Sequence, residues 1–133
     1  MVLDTSAVAA ILFDEPEAEA FALAVERDPV RLLSAGTALE VGIVVEARLG
    51  APGARELDIL LHRARVEVVP FTAEQAELAR GAWRMWGKVR HPAGWNYGDC
   101  VAYALSRSSG EPLLLKGEDF SKTDVRAAAD SPR

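Results

Sequence analysis

The stretch Met1-Val2-Leu3-Asp4-Thr5-Ser6-Ala7 decides the fold class. A short apolar run ends on a carboxylate, and small residues able to open a helix follow at once. That order reads as a buried strand delivering Asp4 to a helix N-terminus, at the edge of an open α/β sheet where ligands and reacting groups gather. Residues 31–33, 66–69 and 112–115 are further predicted strands, each short and mostly apolar, as in a sheet covered on both faces. Between them the apolar period lengthens. Residues 7–13 and 15–27 are predicted helices, the second started by Asp14 with Glu17 three residues on. Residues 35–49 make a third, ended near Gly50, and 54–64 a fourth, after the turn Ala51-Pro52-Gly53. Thr72 with Gln75 forms the capping-box pattern of a long helix reaching about Trp86, and 96–108 is the last helix, stopped by Gly110. Strands alternating with helices predict an α/β fold, a three-layer α/β/α sandwich with a short parallel sheet and right-handed crossovers.

The bulk numbers agree with one core. At 133 residues, half of them apolar, the chain has a common size for a single domain spanning 1–133, with residues from about 125 onward expected as a frayed tail. No apolar stretch approaches the ~20 residues of a membrane span. The N-terminus also lacks the basic start and apolar run of a signal peptide, so a cytoplasmic protein without membrane contact is expected. Cys100 has no cysteine partner, and with only His62 and His91 beside it a zinc site is not expected. The formal charge of −5 disfavours nonspecific coating of nucleic acid but leaves room for a local basic patch.

Several acids stand where ordinary solvation does not explain them. Glu40 falls at the centre of a helix face made by Gly36, Thr37, Ile43, Val44 and Ala47, so it is expected to point inward, paired with a buried basic or capping group or with a cation. Asp99 lies in the first turn of its helix, where backbone N–H groups favour negative charge, and with Asn96 as N-cap it is either a capping acid or a ligand. Asp4 carries the same two readings. Glu118 and Asp119 follow the last strand after Gly117, which permits a tight turn; a solvated turn is the alternative. Two carboxylates ~4 Å apart repel by roughly 4 kcal/mol at an effective dielectric of about 20. Converging acids therefore need protonation or a cation, and oxygen donors without Cys or His suit Mg²⁺ or Mn²⁺.

Leu3-Asp4-Thr5-Ser6-Ala7, Glu40, Asn96-Tyr97-Gly98-Asp99 and Leu115-Lys116-Gly117-Glu118-Asp119-Phe120, in that order, resemble the PIN-domain ribonucleases. More narrowly, they resemble the VapC toxins of type II toxin–antitoxin systems. The likeness implies a PIN-like, Mg²⁺- or Mn²⁺-dependent endoribonuclease that cuts RNA phosphodiesters with a metal-activated water. It also implies neutralisation by a VapB-like antitoxin and assembly as a homodimer. Under it, Asp4 and Asp99 match metal ligands, and Glu40 the third acid, which places metal or activates water. Thr5 or Ser6 matches the hydroxyl beside the first acid, and Asn96 a polar residue behind the ligands. Asp119 matches the fourth acid with Glu118 as its substitute; the chain departs from many relatives by carrying Gly117 where they have an acid or Asn.

Two rival readings stay open. One is a catalytically inactive PIN-like module that binds RNA or protein. The other is a phosphoryl-transfer enzyme of another α/β type, against which stand the absence of a Gly-x-x-x-x-Gly-Lys-Ser/Thr loop and of a second Asp two residues after Asp4.

Arg80, Arg84 and Lys88 recur every four residues as an expected helical stripe, with Arg90 and His91 beyond, and Lys88 and Arg90 are candidate contacts to RNA phosphates. Trp86, Trp95 or Tyr97 could stack an unpaired base, the competing reading being a solvated basic face with Trp83 and Trp86 packed against the core or a dimer surface. Val8, Ile11, Leu12, Phe13, Phe21, Leu23 and Val25 serve either the core or contact with a second protomer or an antitoxin helix.

Overall fold

The structure, a computed structural model, describes residues 1–88 and 91–117. Strands β1 (Val2–Leu3), β2 (Leu32–Ser34), β3 (Glu67–Val69) and β4 (Leu113–Leu114) form one parallel sheet in the order β3-β2-β1-β4. Helices α1 (Thr5–Leu12), α2 (Ala18–Arg27) and α3 (Ala35–Arg63) lie between the first three strands. Helices α4 (Ala73–Trp86) and α5 (Tyr97–Ser109) precede β4.

Successive strand side chains point to opposite faces, and that alternation divides the core in two. Met1, Leu3, Leu33 and Leu114 join Ala7, Val8, Phe21, Val41, Val45 and Leu57 of α1–α3 on one face. Val2, Leu113 and Leu115 join Ala82, Trp86, Trp95, Ala102, Tyr103 and Leu105 on the other. The result is the expected three-layer sandwich. Because β1, β2 and β3 step in one direction and β4 is added on the opposite side of β1, the strand order reverses beside β1. In such sheets a crevice opens at the carboxyl ends of the strands at that switch point.

Several local expectations change in the fold. Helix α1 begins at Thr5 rather than residue 7, because Asp4 caps it. Asp14 does not start α2: it adopts a left-handed conformation (φ 50°), and the helix opens only after Glu17. Pro16 supplies the reason, since the residue before a proline is driven out of the helical region. Gly50 breaks α3 with φ 66°, so the two helices expected on either side of it stand as a kinked pair. Thr72 accepts from the Gln75 N–H at 3.1 Å, but the Gln75 amide turns to the Pro70 carbonyl at 3.3 Å, leaving half a capping box. Strand β3 is an edge, and its Val68 is exposed rather than covered.

The tryptophans divide between core and surface. Trp95 is fully buried against Trp86, with ring centroids 4.9 Å apart, and against Tyr103 at 5.2 Å. Base stacking on Trp86 or Trp95 is therefore ruled out by burial, while Tyr97 stays exposed. Val8, Phe21 and Val25 are core, and Ile11, Leu12 and Phe13 pack against it, which absorbs most of the apolar surplus of the first two helices. Among the described residues no helix is long and apolar enough to cross a membrane. Replacing a buried Trp by Ala typically costs about 3–5 kcal/mol. Urea unfolding of Trp95→Ala should show a loss of that order; a loss below about 1 kcal/mol would contradict this packing.

Candidate active site

Asp4 leaves β1 directly into α1, and its side chain caps the helix. The Ser6 N–H donates to Asp4 Oδ2 at 3.0 Å, and the Ser6 hydroxyl donates to the same oxygen at 2.5 Å. Ser6 Oγ in turn accepts the backbone N–H of Lys116 at 2.9 Å. A hydroxyl beside the first acid thus ties Asp4 to the turn after β4. Asp4 is only 6% exposed. Burial pushes its carboxyl above the ordinary Asp range and the nearby charge of Glu40 adds to this, against the bonds from Ser6.

Glu40 lies one turn into α3, a helix that Ser34 caps by accepting the Gly36 N–H at 3.3 Å. The Thr5 hydroxyl donates to Glu40 Oε1. The helix face around it differs from the expected one. Thr37, Val41 and Val45 enter the core, whereas Ile43 and Val44 are exposed and Glu40 itself is half-buried, facing a cleft instead of the interior. An i, i+4 pattern gives the angle of a face but not which neighbouring layer lies on it, so the sequence misassigned the apolar side.

Asp99 stands at the N3 position of α5, in a complete capping box. Asn96 Oδ1 accepts the Asp99 N–H at 3.0 Å, and Asp99 Oδ2 accepts the Asn96 N–H at 2.9 Å. The capping reading is thereby realised, and the carboxylate still borders the cleft. Cys100, next along, has its thiol pushed up to about 11 by burial and by the charge of Asp99, so it is neutral and no nucleophile at pH 7.

Asp4, Thr5, Ser6, Glu40, Val44, Asn96, Asp99 and Lys116 together line one cleft of about 270 Å³ at the switch point. Three acids from three elements border this space. Among the described residues no three Asp, Glu, His or Cys side chains are clustered tightly enough to form a ready ligand set. The donors nonetheless fit a hard divalent cation in kind: they are carboxylate oxygens, and one is buried at an energetic cost that a cation would reverse.

Lys116 was missed by sequence reasoning. Its ammonium pairs with Glu15 and lies 3.5 Å from Glu17 Oε2, and the Glu15 bond holds its pKa above the ordinary lysine value. The signal was its place at a strand end; its partners lie about a hundred residues earlier and are invisible to local patterns. Gly117 does take the left-handed turn, with φ 99°. The expected fourth acid, Asp119, its substitute Glu118, and Arg90 lie outside the described residues. The basic stripe is shorter than expected: α4 ends at Trp86, so Arg80 and Arg84 share its surface while the exposed Lys88 lies past its end. Arg80 pairs with Glu77 at 3.1 Å, and His91 Nδ1 accepts the Ala93 N–H at 3.0 Å.

Fold and cleft define a parallel α/β domain with acids gathered at the carboxyl edge of its sheet. The PIN domain family model matches residues 1–126, and the chain belongs to the PIN-domain family. Within it the chain is VapC-like. It is 57% identical to VapC ribonuclease Mb0640 of Mycobacterium bovis over 97% of this chain and 98% of that protein. It is 58% identical to Ribonuclease VapC of Mycolicibacterium smegmatis over 96% and 98%. The crystal structure of Mycobacterium tuberculosis VapC20, described as a sarcin-ricin loop cleaving toxin, superposes with a TM-score of 0.73 at 23% identity, covering 93% of this chain and 95% of that one.

The folded protein holds the Asp4 proton more tightly than the unfolded chain does. Its contribution therefore lowers stability as pH rises from the ordinary value of 3.8 through the raised one, and the penalty is full above both. In EDTA at pH 7, Asp4→Asn should melt higher than the parent, and the difference should shrink on acidification. A lower melting temperature at pH 7 would mean that capping outweighs the buried charge.

Proposed function

We propose that this chain is a Mg²⁺- or Mn²⁺-dependent endoribonuclease toxin, acting on cytoplasmic RNA and neutralised by a VapB-like antitoxin. The observation that carries the reading is the convergence of Asp4, Glu40 and Asp99, from three separate elements, on one cleft at the switch point. Relatives named as ribonucleases, identical at more than half of their residues over nearly their whole length, support RNA as the substrate. The family match over residues 1–126 supports a single PIN domain with a short tail.

In this reading Asp4 and Asp99 hold the cation, and Asp119, or Glu118 in its place, completes the acidic edge. A bound divalent ion supplies charge neutralisation at the phosphodiester and a lowered pKa for water. The residues of the chain do the rest. Glu40, fixed by the Thr5 hydroxyl, is placed to accept a proton from the attacking water. Ser6 orients Asp4, and Asn96 locks Asp99 at the start of α5, so neither ligand has to be ordered when substrate arrives. Lys88 and Arg90 supply positive charge for RNA phosphates.

The homodimer belongs to the same proposal. Leu39 and Ile43 of α3 and Tyr97 of α5 are 67%, 61% and 74% exposed, large apolar side chains that a second copy would cover.

Purified protein incubated with total RNA should produce new ends only with Mg²⁺ or Mn²⁺. Asp99→Asn should remove that activity at an essentially unchanged melting temperature. Undiminished cutting by Asp99→Asn would refute its role, and a parent inert with both ions would favour the inactive binding module. Lys88→Ala should weaken RNA affinity and lower the salt slope by about 1; an unchanged slope removes Lys88 from the RNA path.

A further inference from the structure

Gly98 is a buried residue in the first turn of α5, between Tyr97 and Asp99. Its backbone is not left-handed, so conformational freedom does not explain a glycine there. Alanine is the better helix former at such a position, and the sequence forgoes it. The space where a side chain would begin is taken. A Cβ at Gly98 would fall 2.5 Å from Glu40 Oε1 and 2.7 Å from its Cδ, with Oε2 nearer still. Real Cβ atoms essentially never approach within 3.0 Å.

We infer that Gly98 is a positioning residue whose missing side chain seats the Glu40 carboxylate against the start of α5, opposite the Thr5 hydroxyl that holds it from α1. This rests on the reading of Glu40 as the third acid of the site. No other helical glycine faces a carboxylate in this way: a Cβ at Gly42 or Gly81 would meet nothing within 4 Å, one at Gly36 would touch Val101, and one at Gly53 would strike Leu49 Cβ and the Val45 backbone carbonyl. At Gly98 the three nearest atoms all belong to the end of one flexible side chain. A methyl group there displaces the carboxylate and leaves the backbone where it is. Fold and function should therefore separate at this position, which they would not do at a glycine required by packing.

The test is Gly98→Ala in the full chain, read by melting temperature, RNA cleavage, Mn²⁺ calorimetry and a crystal structure. The melting temperature should hold or rise. Cleavage should fall on the order of a hundredfold, the scale for a group misplaced by about 1 Å, chiefly in kcat. In a Glu40→Ala background the same substitution should change neither Mn²⁺ affinity nor residual cleavage further, because the group it displaces is gone. Parent-like cleavage by Gly98→Ala, a marked fall in its melting temperature, or a crystal structure in which Glu40 keeps its bond to Thr5 would each overturn the inference. A parent that neither cuts RNA nor takes up Mn²⁺ refutes the ribonuclease reading instead, and the crystal structure alone then decides whether Gly98 seats Glu40.

Discussion

A carboxylate at the end of a central, fully covered strand is the constraint around which this molecule is arranged. Asp4 cannot move outward to water without pulling β1 from between β2 and β4, so its surroundings must make the charge tolerable. Part of the answer is local: Ser6 supplies two hydrogen bonds to one carboxylate oxygen. Among the described residues these bonds do not outweigh burial and the charge of Glu40, which hold the carboxyl above its ordinary range. Under the proposed function, a cation in the cleft would offset that cost.

The same edge gathers helix starts. Helices α1 and α3 each begin at the carboxyl end of a strand, and α5 begins at the cleft with Asn96 and Asp99. Capping residues and site residues are consequently the same residues: Asp4 caps α1 and Asp99 closes the box on α5. Partial positive charge at these helix ends offsets some of the repulsion among the acids and suits an anionic substrate as well. A capping role and the proposed ligand role are therefore compatible at both acids. Capping is how each acid is held still.

Cross-links between distant segments fix the remaining geometry. Thr5 of α1 holds Glu40 of α3, and the Lys116 backbone reaches Ser6 while its ammonium reaches Glu15 and Glu17. Each bond joins segments far apart along the chain, so the shape of the cleft depends on the tertiary fold. The sheet order also explains why the fold is shared with a VapC structure at 23% identity: alternating apolar strand residues specify the layers, and many sequences satisfy the alternation.

The strands, the helix order and the break at Gly50 were legible in sequence because they follow from short-range rules, period and turn chemistry, that act within a few residues. Asp4, Asn96 and Asp99 were legible for the same reason, as acids and caps at element boundaries. Tertiary structure alone decided which face of α3 meets the core, so that Glu40 borders a cleft while Thr37, Val41 and Val45 are covered. It alone decided that Trp86 and Trp95 pack together inside, that Lys116 pairs with Glu15, and that Gly98 makes room for Glu40. These are contacts between segments far apart along the chain, set by how the layers stack, and a linear pattern carries angles and periods but no record of what lies across the gap.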